Sequence, residues 1–413
     1  MAKWYTLVLL LLFNCCALAQ ERDLDFYLAT AIQNSPLLRD YSNQVESNRM
    51  DSSLIQSSYR PQVNSFTSGV YAPVINGWGY DVAITNGHTF STVISVSQTL
   101  VGHANISNQY EGIGLQNSGL HTLQKVSEQD IRKDITDKYV LVYGDKLQLD
   151  FNQELLDLLK DEEKILRKLT ESSTYRQTDF LSFLVTLKQQ ELTVQQWEAR
   201  ELGDLSALNY AAGISDTSNV GLAAPVIPLP GYPRAGETIF IQKFRIDSLL
   251  IEANNKQIDF NYRPKLSLFA DGGYNSSFAI QSYRNFGVSA GATLTVPLYD
   301  GKQRALLHHK NEISERTRQN YHQFFIHQYD QQLAGLKQQL DLAEQLEIQA
   351  SEQVKYAEEL MKAQRTQLLS GDVRMADYIL SMGNYLNAKN AVTQNQINKW
   401  LLASQVNYWN RTN

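Results

Sequence analysis

The chain has 413 residues, 43% hydrophobic, 10% aromatic and 19% charged, with 37 basic against 43 acidic side chains and a formal net charge of −6. That composition excludes a disordered polyelectrolyte, and the charge balance argues against a basic nucleic-acid-binding domain, so no nucleic-acid partner is expected. The length admits two or three ordinary domains or one large repeated one.

Residues 1–19 read as a secretory signal peptide: Lys3 is the charged start, Leu7 to Phe13 the apolar core, and Ala17-Leu18-Ala19 a small-residue cleavage site before Gln20. Cys15 and Cys16, the two cysteines, lie within it. The exported chain is therefore expected to hold no disulfide and no thiolate metal ligand. Beyond the signal no apolar run approaches the ~20 residues of a spanning helix. Any membrane crossing must use strands, whose alternation hides from a hydropathy count.

A strand pair follows. Tyr59-Arg60-Pro61, then Phe66, Gly69 and Tyr71, recurs as Tyr262-Arg263-Pro264, then Phe269, Gly272 and Tyr274, at a constant offset of 203. Six matches in one register indicate an internal duplication. Residues 103–211 are free of proline and rich in Gln, Leu, Glu, Lys and Ala, which predicts helix. One break, from Leu169 to Thr174 and including Ser172 and Ser173, turns this stretch into a helical hairpin. The run Asp161-Glu162-Glu163-Lys164 with Arg167-Lys168 reads as a salt-bridged exposed helix face. Residues 213–235 hold four prolines and read as a connector.

In the second half, Phe286, Val288, Ala290, Ala292, Leu294, Val296 and Leu298 alternate with Gly287, Ser289, Gly291, Thr293 and Thr295. One apolar face and one small or polar face suit a membrane barrel strand, longer than the ~9 to 11 residues needed to cross. A strand of a soluble sandwich has the same pattern. Trp78, Tyr80, Tyr274 and Tyr283 lie near strand ends, where a membrane interface or loop packing would suit them equally. Residues 302–410 repeat the helical composition, broken at Ser370-Gly371-Asp372. There Gly371 is expected to end one helix and Asp372 to cap the next. Leu336, Leu340, Ala343, Leu346, Ala350, Val354, Ala357 and Met361 are spaced by threes and fours, a coiled-coil seam. A helix over 302–369 would be about 100 Å long, as would one over 103–170. The domain reading is a signal peptide at 1–19, a first repeat at 20–212, the connector at 213–235 and a second repeat at 236–413.

Catalytic chemistry finds no support. Gly287-Val288-Ser289-Ala290-Gly291 spells a nucleophile motif, but in mid-strand and not on the sharp turn that exposes such a serine. The seven histidines form no ligand spacing. No enzyme activity, cofactor or metal is expected.

The element order, with helix, strand pair and long hairpin given twice behind a signal peptide, resembles the TolC-type outer-membrane efflux protein family. Three motifs carry the resemblance. Ala31-Ile32-Gln33-Asn34-Ser35-Pro36-Leu37 is similar to the family's N-terminal A-L-x-x-N-P-x-L element, with Ser35 inserted. Val296-Pro297-Leu298-Tyr299-Asp300-Gly301 resembles its V-P-L-F-D-G-G strand-to-helix turn, with Lys302 in place of the second glycine. Gly371, Asp377 and Asn387-Ala388-Lys389 match its hairpin tip and return helix.

The resemblance implies a mainly α fold with β: a long α-helical coiled-coil barrel and a transmembrane β-barrel completed by oligomerisation, four strands per chain. Four strands cannot close a barrel, and an open sheet edge is not tolerated in lipid. Eight strands from two copies would be filled by side chains, whereas twelve from three leave a lumen. The resemblance likewise implies a homotrimer in the outer membrane of a Gram-negative bacterium, with a helical extension into the periplasm. It also implies a duct that works with a periplasmic adaptor and an inner-membrane pump. Gate candidates are Asp377 and Asp179, the family's second acidic position falling here on Leu380. Gly371, Asp372, Ser172 and Ser173 are the candidates for the tip and adaptor docking, and Pro297, Asp300 and Gly301 form the strand-to-helix turn. The competing reading is a periplasmic coiled-coil adaptor or structural protein of an export complex, which leaves the duplicated strand pairs without a purpose.

Overall fold

The computed structural model describes residues 21–81, 84, 87–216, 220–228, 236, 238–278 and 281–410. The signal peptide and positions 217–219 and 229–235 of the connector lie outside them. In chain order the elements are α1 (Leu24–Asn34), α2 (Pro36–Ser58), β1 (Gln62–Tyr71), β2 (His88–Leu100), α3 (His103–Glu171), α4 (Gln177–Ala212), α5 (Ile239–Asn261), β3 (Lys265–Ser276), a 3₁₀ turn (Ser282–Arg284), β4 (Phe286–Thr295), α6 (Gln303–Ser370) and α7 (Met375–Trp409). The series α2-β1-β2-α3-α4 recurs as α5-β3-β4-α6-α7, as the duplication requires. Two compact units result, and each draws on both halves of the chain: residues 40–123 with 240–324, and residues 1–39 with 124–239 and 325–413.

The first unit holds one antiparallel sheet in the order β1-β2-β3-β4. Its registers pair Gln62 with Ser97, Leu100 with Leu266, and Lys265 with Thr295. Residues opposite one another share a face. One face therefore carries Tyr71, Phe90, Ile94, Val96, Leu266, Leu268, Tyr274, Phe286, Val288 and Leu294. The other is built mainly from Ser, Thr, Asn and Gly. Among the described residues nothing covers the apolar face, and Val288 is 91% exposed. The registers also refine the duplication: β1 maps onto β3 at an offset of 203, but β2 maps onto β4 at 198. β4 stops at Thr295, short of the expected Leu298. Pro297 has no N–H to continue a ladder, so the strand meets the crossing length at 10 residues and does not exceed it.

Helix ends explain two of the short motifs. Ser35 accepts the N–H of Leu38 on its Oγ at 3.3 Å and precedes Pro36, the first residue of α2. That is a side-chain cap followed by a residue whose missing N–H costs nothing there. Asn34 donates its amide to the carbonyls of Ala212 and Gly213, both at 3.1 Å, and closes the end of α4, where Gly213 turns with φ of 68°. In the other unit, Asp300 takes the N–H groups of Lys302 and Arg304 at 2.9 and 2.8 Å and starts α6. These backbone donors, that of Arg304 first, hold its carboxyl below the usual range. Gly301 and Lys302 both have positive φ, 63° and 69°. A lysine thus occupies a left-handed position that a glycine adopts without strain.

The helical unit is cored by α3, α4, α6 and α7, with Leu159, Leu166, Phe183, Leu368, Tyr378 and Met382 among its buried residues. Leu336, Leu340, Ala343, Ala357 and Met361 of the expected seam are buried, but Leu346 is 45% exposed. Opposite it α7 presents Gln394, Asn395 and Asn398, leaving a shallow groove where the seam expected apolar contact. The described part of the connector is not loose. Lys146 donates to the carbonyl of Leu222 at 3.1 Å, Tyr139 to that of Ala223 at 2.6 Å, and Arg22 pairs with Asp216 at 2.7 Å.

Candidate functional site

The two hairpin tips lie together in the helical unit. Each reverses through a left-handed residue, Ser173 with φ of 61° and Gly371 with φ of 81°. Each is closed by a bond five residues back: Thr174 N–H to the Leu169 carbonyl and Asp372 N–H to the Gln367 carbonyl, both 2.9 Å. This is how α-helices satisfy their last carbonyls. The hydroxyl of Tyr175 then reaches across, 2.7 Å from the Leu368 carbonyl and 2.9 Å from that of Val373. A Cβ on Gly371 would stand 3.3 Å from the methyl of Thr174. Burial pushes the Tyr175 hydroxyl pKa up, which keeps it a donor.

Asp372 does not cap α7. The helix starts later: Arg374 is extended (φ −70°, ψ 142°) and holds the N-cap position without a side-chain cap bond. Asp372 instead accepts the Ser370 hydroxyl at 2.6 Å. Arg374 also changes the meaning of Asp377. Its guanidinium grips that carboxylate through two bonds of 2.9 Å, so the expected gate charge has a countercharge three residues away. Asp179 holds the same first-turn position in α4, its N–H bonded to the Arg176 carbonyl at 3.0 Å. The pairs Arg176/Asp179 and Arg374/Asp377 stand at an offset of 198, the register of β2 and β4. That repeat is visible in the sequence once the offset is allowed to change. Leu380 is exposed.

Beneath the tips lies a charge that the helical-face reading misplaced. Asp161 and Glu163 pair on the surface with Lys164 and Arg167, but Glu162 is 0% exposed and bonded to Arg365 of α6. Glu162 shares the core stripe of Leu155, Leu159 and Leu166, at spacings of three and four. Its second oxygen has no hydrogen-bond partner. Further along α3, buried Asp145 sits 3.2 Å from Arg200 and beside Asp204. Burial first, then the neighbouring carboxylate, pushes its pKa up to about 7.

The strand-to-helix residues Pro297, Asp300 and Gly301 belong to the other compact unit and join none of these groups. Ser289 lies extended in the middle of β4, opposite Asp271, and is not set on a turn. Among the described residues no three His, Cys, Asp or Glu side chains are placed to hold a metal ion, and no helix is long and apolar enough to cross a membrane.

No protein-family model and no curated protein matches the chain. Solved structures do. A membrane protein from Pseudomonas aeruginosa is 13% identical, with a TM-score of 0.77 over 94% of this chain and 90% of that one. The outer membrane protein VceC of Vibrio cholerae is 11% identical, with a TM-score of 0.74 over 94% and 96%. The outer membrane channel MtrE of Neisseria gonorrhoeae, in its open state, is 11% identical, with a TM-score of 0.72 over 94% and 89%. Mainly helical, internally duplicated and built on one four-stranded sheet, this chain has the fold of these membrane proteins.

Proposed function

We propose that the protein is the outer-membrane channel of a tripartite export system, a homotrimeric duct without catalysis of its own. In this reading the repeats 20–212 and 236–413 each supply two strands and one helical hairpin, joined by 213–235. The observation that carries it is the sheet: one apolar uncovered face, one hydroxyl-rich face, and two open edges at β1 and β4. An open edge is too costly in lipid to stay unpaired, and pairing across copies closes it. Three copies give twelve strands and a lumen. The fold shared with outer-membrane channels supports the same placement. A periplasmic adaptor and an inner-membrane pump are the partners this role requires, since a passive duct supplies neither energy nor selection.

Within this reading the tips form the entrance, with Ser172, Ser173, Gly371 and Asp372 at the adaptor end and Asp377 and Asp179 near the aperture. The Arg374 pair mutes the cation attraction expected of Asp377. The test is conductance of the detergent-extracted oligomer in planar bilayers. Stepwise openings are expected, more cation-selective in Arg374→Ala and less so in Asp377→Asn. A monomer that gives no steps, even after proteolytic removal of the tips, would sink the channel reading. Steps unaffected by either substitution would move the gate elsewhere.

A further inference from the structure

The two connections at the end of the sheet away from the helices differ in length and in charge. β1 ends at Tyr71 and β2 starts at His88, whereas β3 ends at Ser276 and β4 starts at Phe286, so 16 residues join the first pair but nine join the second. In the longer one, Ile75 and Trp78 exchange both backbone bonds at 3.0 Å, and Asn76 and Gly77 have φ of 53° and 82°. Two successive positive φ angles make the tight turn that suits a hairpin. Val74 folds over Gly79, where a Cβ would lie 2.8 Å from its Cγ2. The turn is therefore a preformed small hairpin with little freedom to collapse.

What it presents is apolar. The ten residues Tyr71 to Tyr80 carry no charge. Trp78 is 85% exposed, and Tyr71, Val74, Ile75 and Tyr80 are exposed with it. The shorter connection also shows rings, Phe278 at 45% and Tyr283 at 71% exposure, but it stacks Phe278 on His88 at 5.4 Å and sets the charged Arg284 5.4 Å from the Tyr283 ring. The exposed patch continues the apolar face of the sheet, because Tyr71 belongs to that face. Indole and phenol rings with an apolar body and one polar handle match the boundary between head groups and acyl chains. A protein partner would leave unexplained why the patch runs without a break into the uncovered sheet face.

We propose that the hairpin at 72–80 is a lipid anchor, with Ile75 and Trp78 inserted into the leaflet at that end of the sheet. The inference rests on the reading of the sheet as membrane-spanning. Beyond residue 16 the chain has no cysteine, so single thiols can be placed and labelled with a fluorophore. Ile75→Cys reports on the hairpin, Ser277→Cys on the shorter connection and Val288→Cys on the sheet face. Each labelled oligomer is reconstituted into phosphatidylethanolamine and phosphatidylglycerol vesicles containing a lipid brominated along its acyl chains. Quenching is expected at 75 and 288 and weaker at 277, in the connection that carries Arg284, and adding Trp78→Ser to Ile75→Cys should remove the quenching at 75. Quenching at 288 without quenching at 75 would overturn the anchor and leave the hairpin to water or a protein partner. No quenching at either would overturn the membrane reading and the anchor with it.

Discussion

At the first hairpin tip the chain reverses on Ser173, at the second on Gly371, and the same carbonyl five residues back closes both. The following helix opens in both with an arginine and, three residues on, an aspartate. Beyond that the tips diverge. Arg374 holds Asp377 in a two-bond pair, whereas among the described residues Asp179 forms no ion pair with Arg176. Tyr175 of the first tip bonds to carbonyls of the second, with no reciprocal bond from Val373, its equivalent. Helix termination is a local problem with one solution, so duplication preserved it. Charge and cross-tip bonding depend on neighbours, and there the copies have specialised.

The sharpest way to break this comparison is at the contact between the hairpins. Arg365→Met leaves Glu162 buried without its partner and should cost about 3 kcal/mol in urea unfolding of the detergent-solubilised protein. The double variant Glu162→Met with Arg365→Met should recover most of that loss. Equal loss in both would mean that packing and not charge holds the site.

Asp145 provides a contrast within the first hairpin, since its near neighbours include a carboxylate. Its pKa is raised from 3.8 to about 7 in the folded chain. The folded state therefore binds the proton more tightly, and stability from this group falls as pH rises through the window between those values. The slope is at most about 1.4 kcal/mol per pH unit. Asp145→Asn should flatten it, and an unchanged pH profile in that variant would exclude Asp145 as its source.

At the turns themselves the two copies should respond with opposite signs. Gly371→Ala forces a side chain into left-handed backbone against Thr174 and should destabilise by about 1 to 2 kcal/mol. Ser173→Gly relieves the same conformation and should stabilise by up to about 1 kcal/mol. Thermal melts of the two variants would show this directly, and shifts of the same sign would disprove equivalence of the turns. The smallest stability effect is expected at Tyr175→Phe, about 1 kcal/mol for a lost hydrogen bond. In bilayers that variant should also open more often, and an unchanged open probability would make the cross-tip bond purely structural.

Much of this was legible in one chain. Proline positions and the helix-forming composition bracket α3, α4, α6 and α7 to within a few residues, because long helices depend on local propensity. The repeat of Tyr-Arg-Pro with Phe, Gly and Tyr locates β1 and β3, and strict alternation locates β4. The tips were legible as breaks, but their bonding was not. Arg374 is silent in the sequence, because an arginine near a helix start carries no signal until its carboxylate is placed beside it. Asp372 has the residue type of a cap and follows a glycine, yet α7 begins three residues later with Arg374 at its N-cap.

Local energetics, written in residue order, therefore determined the helices, the strand alternation, the duplication and the two turn positions. Tertiary structure alone decided that Glu162 leaves its charged run for the core, that Asp145 faces a second carboxylate, that Leu346 leaves its seam, and that Phe278 stacks on His88. In each case the outcome depends on which atoms arrive from a distant segment. The free energy of a charge or a ring is set by those neighbours, and adjacency along the chain does not specify them.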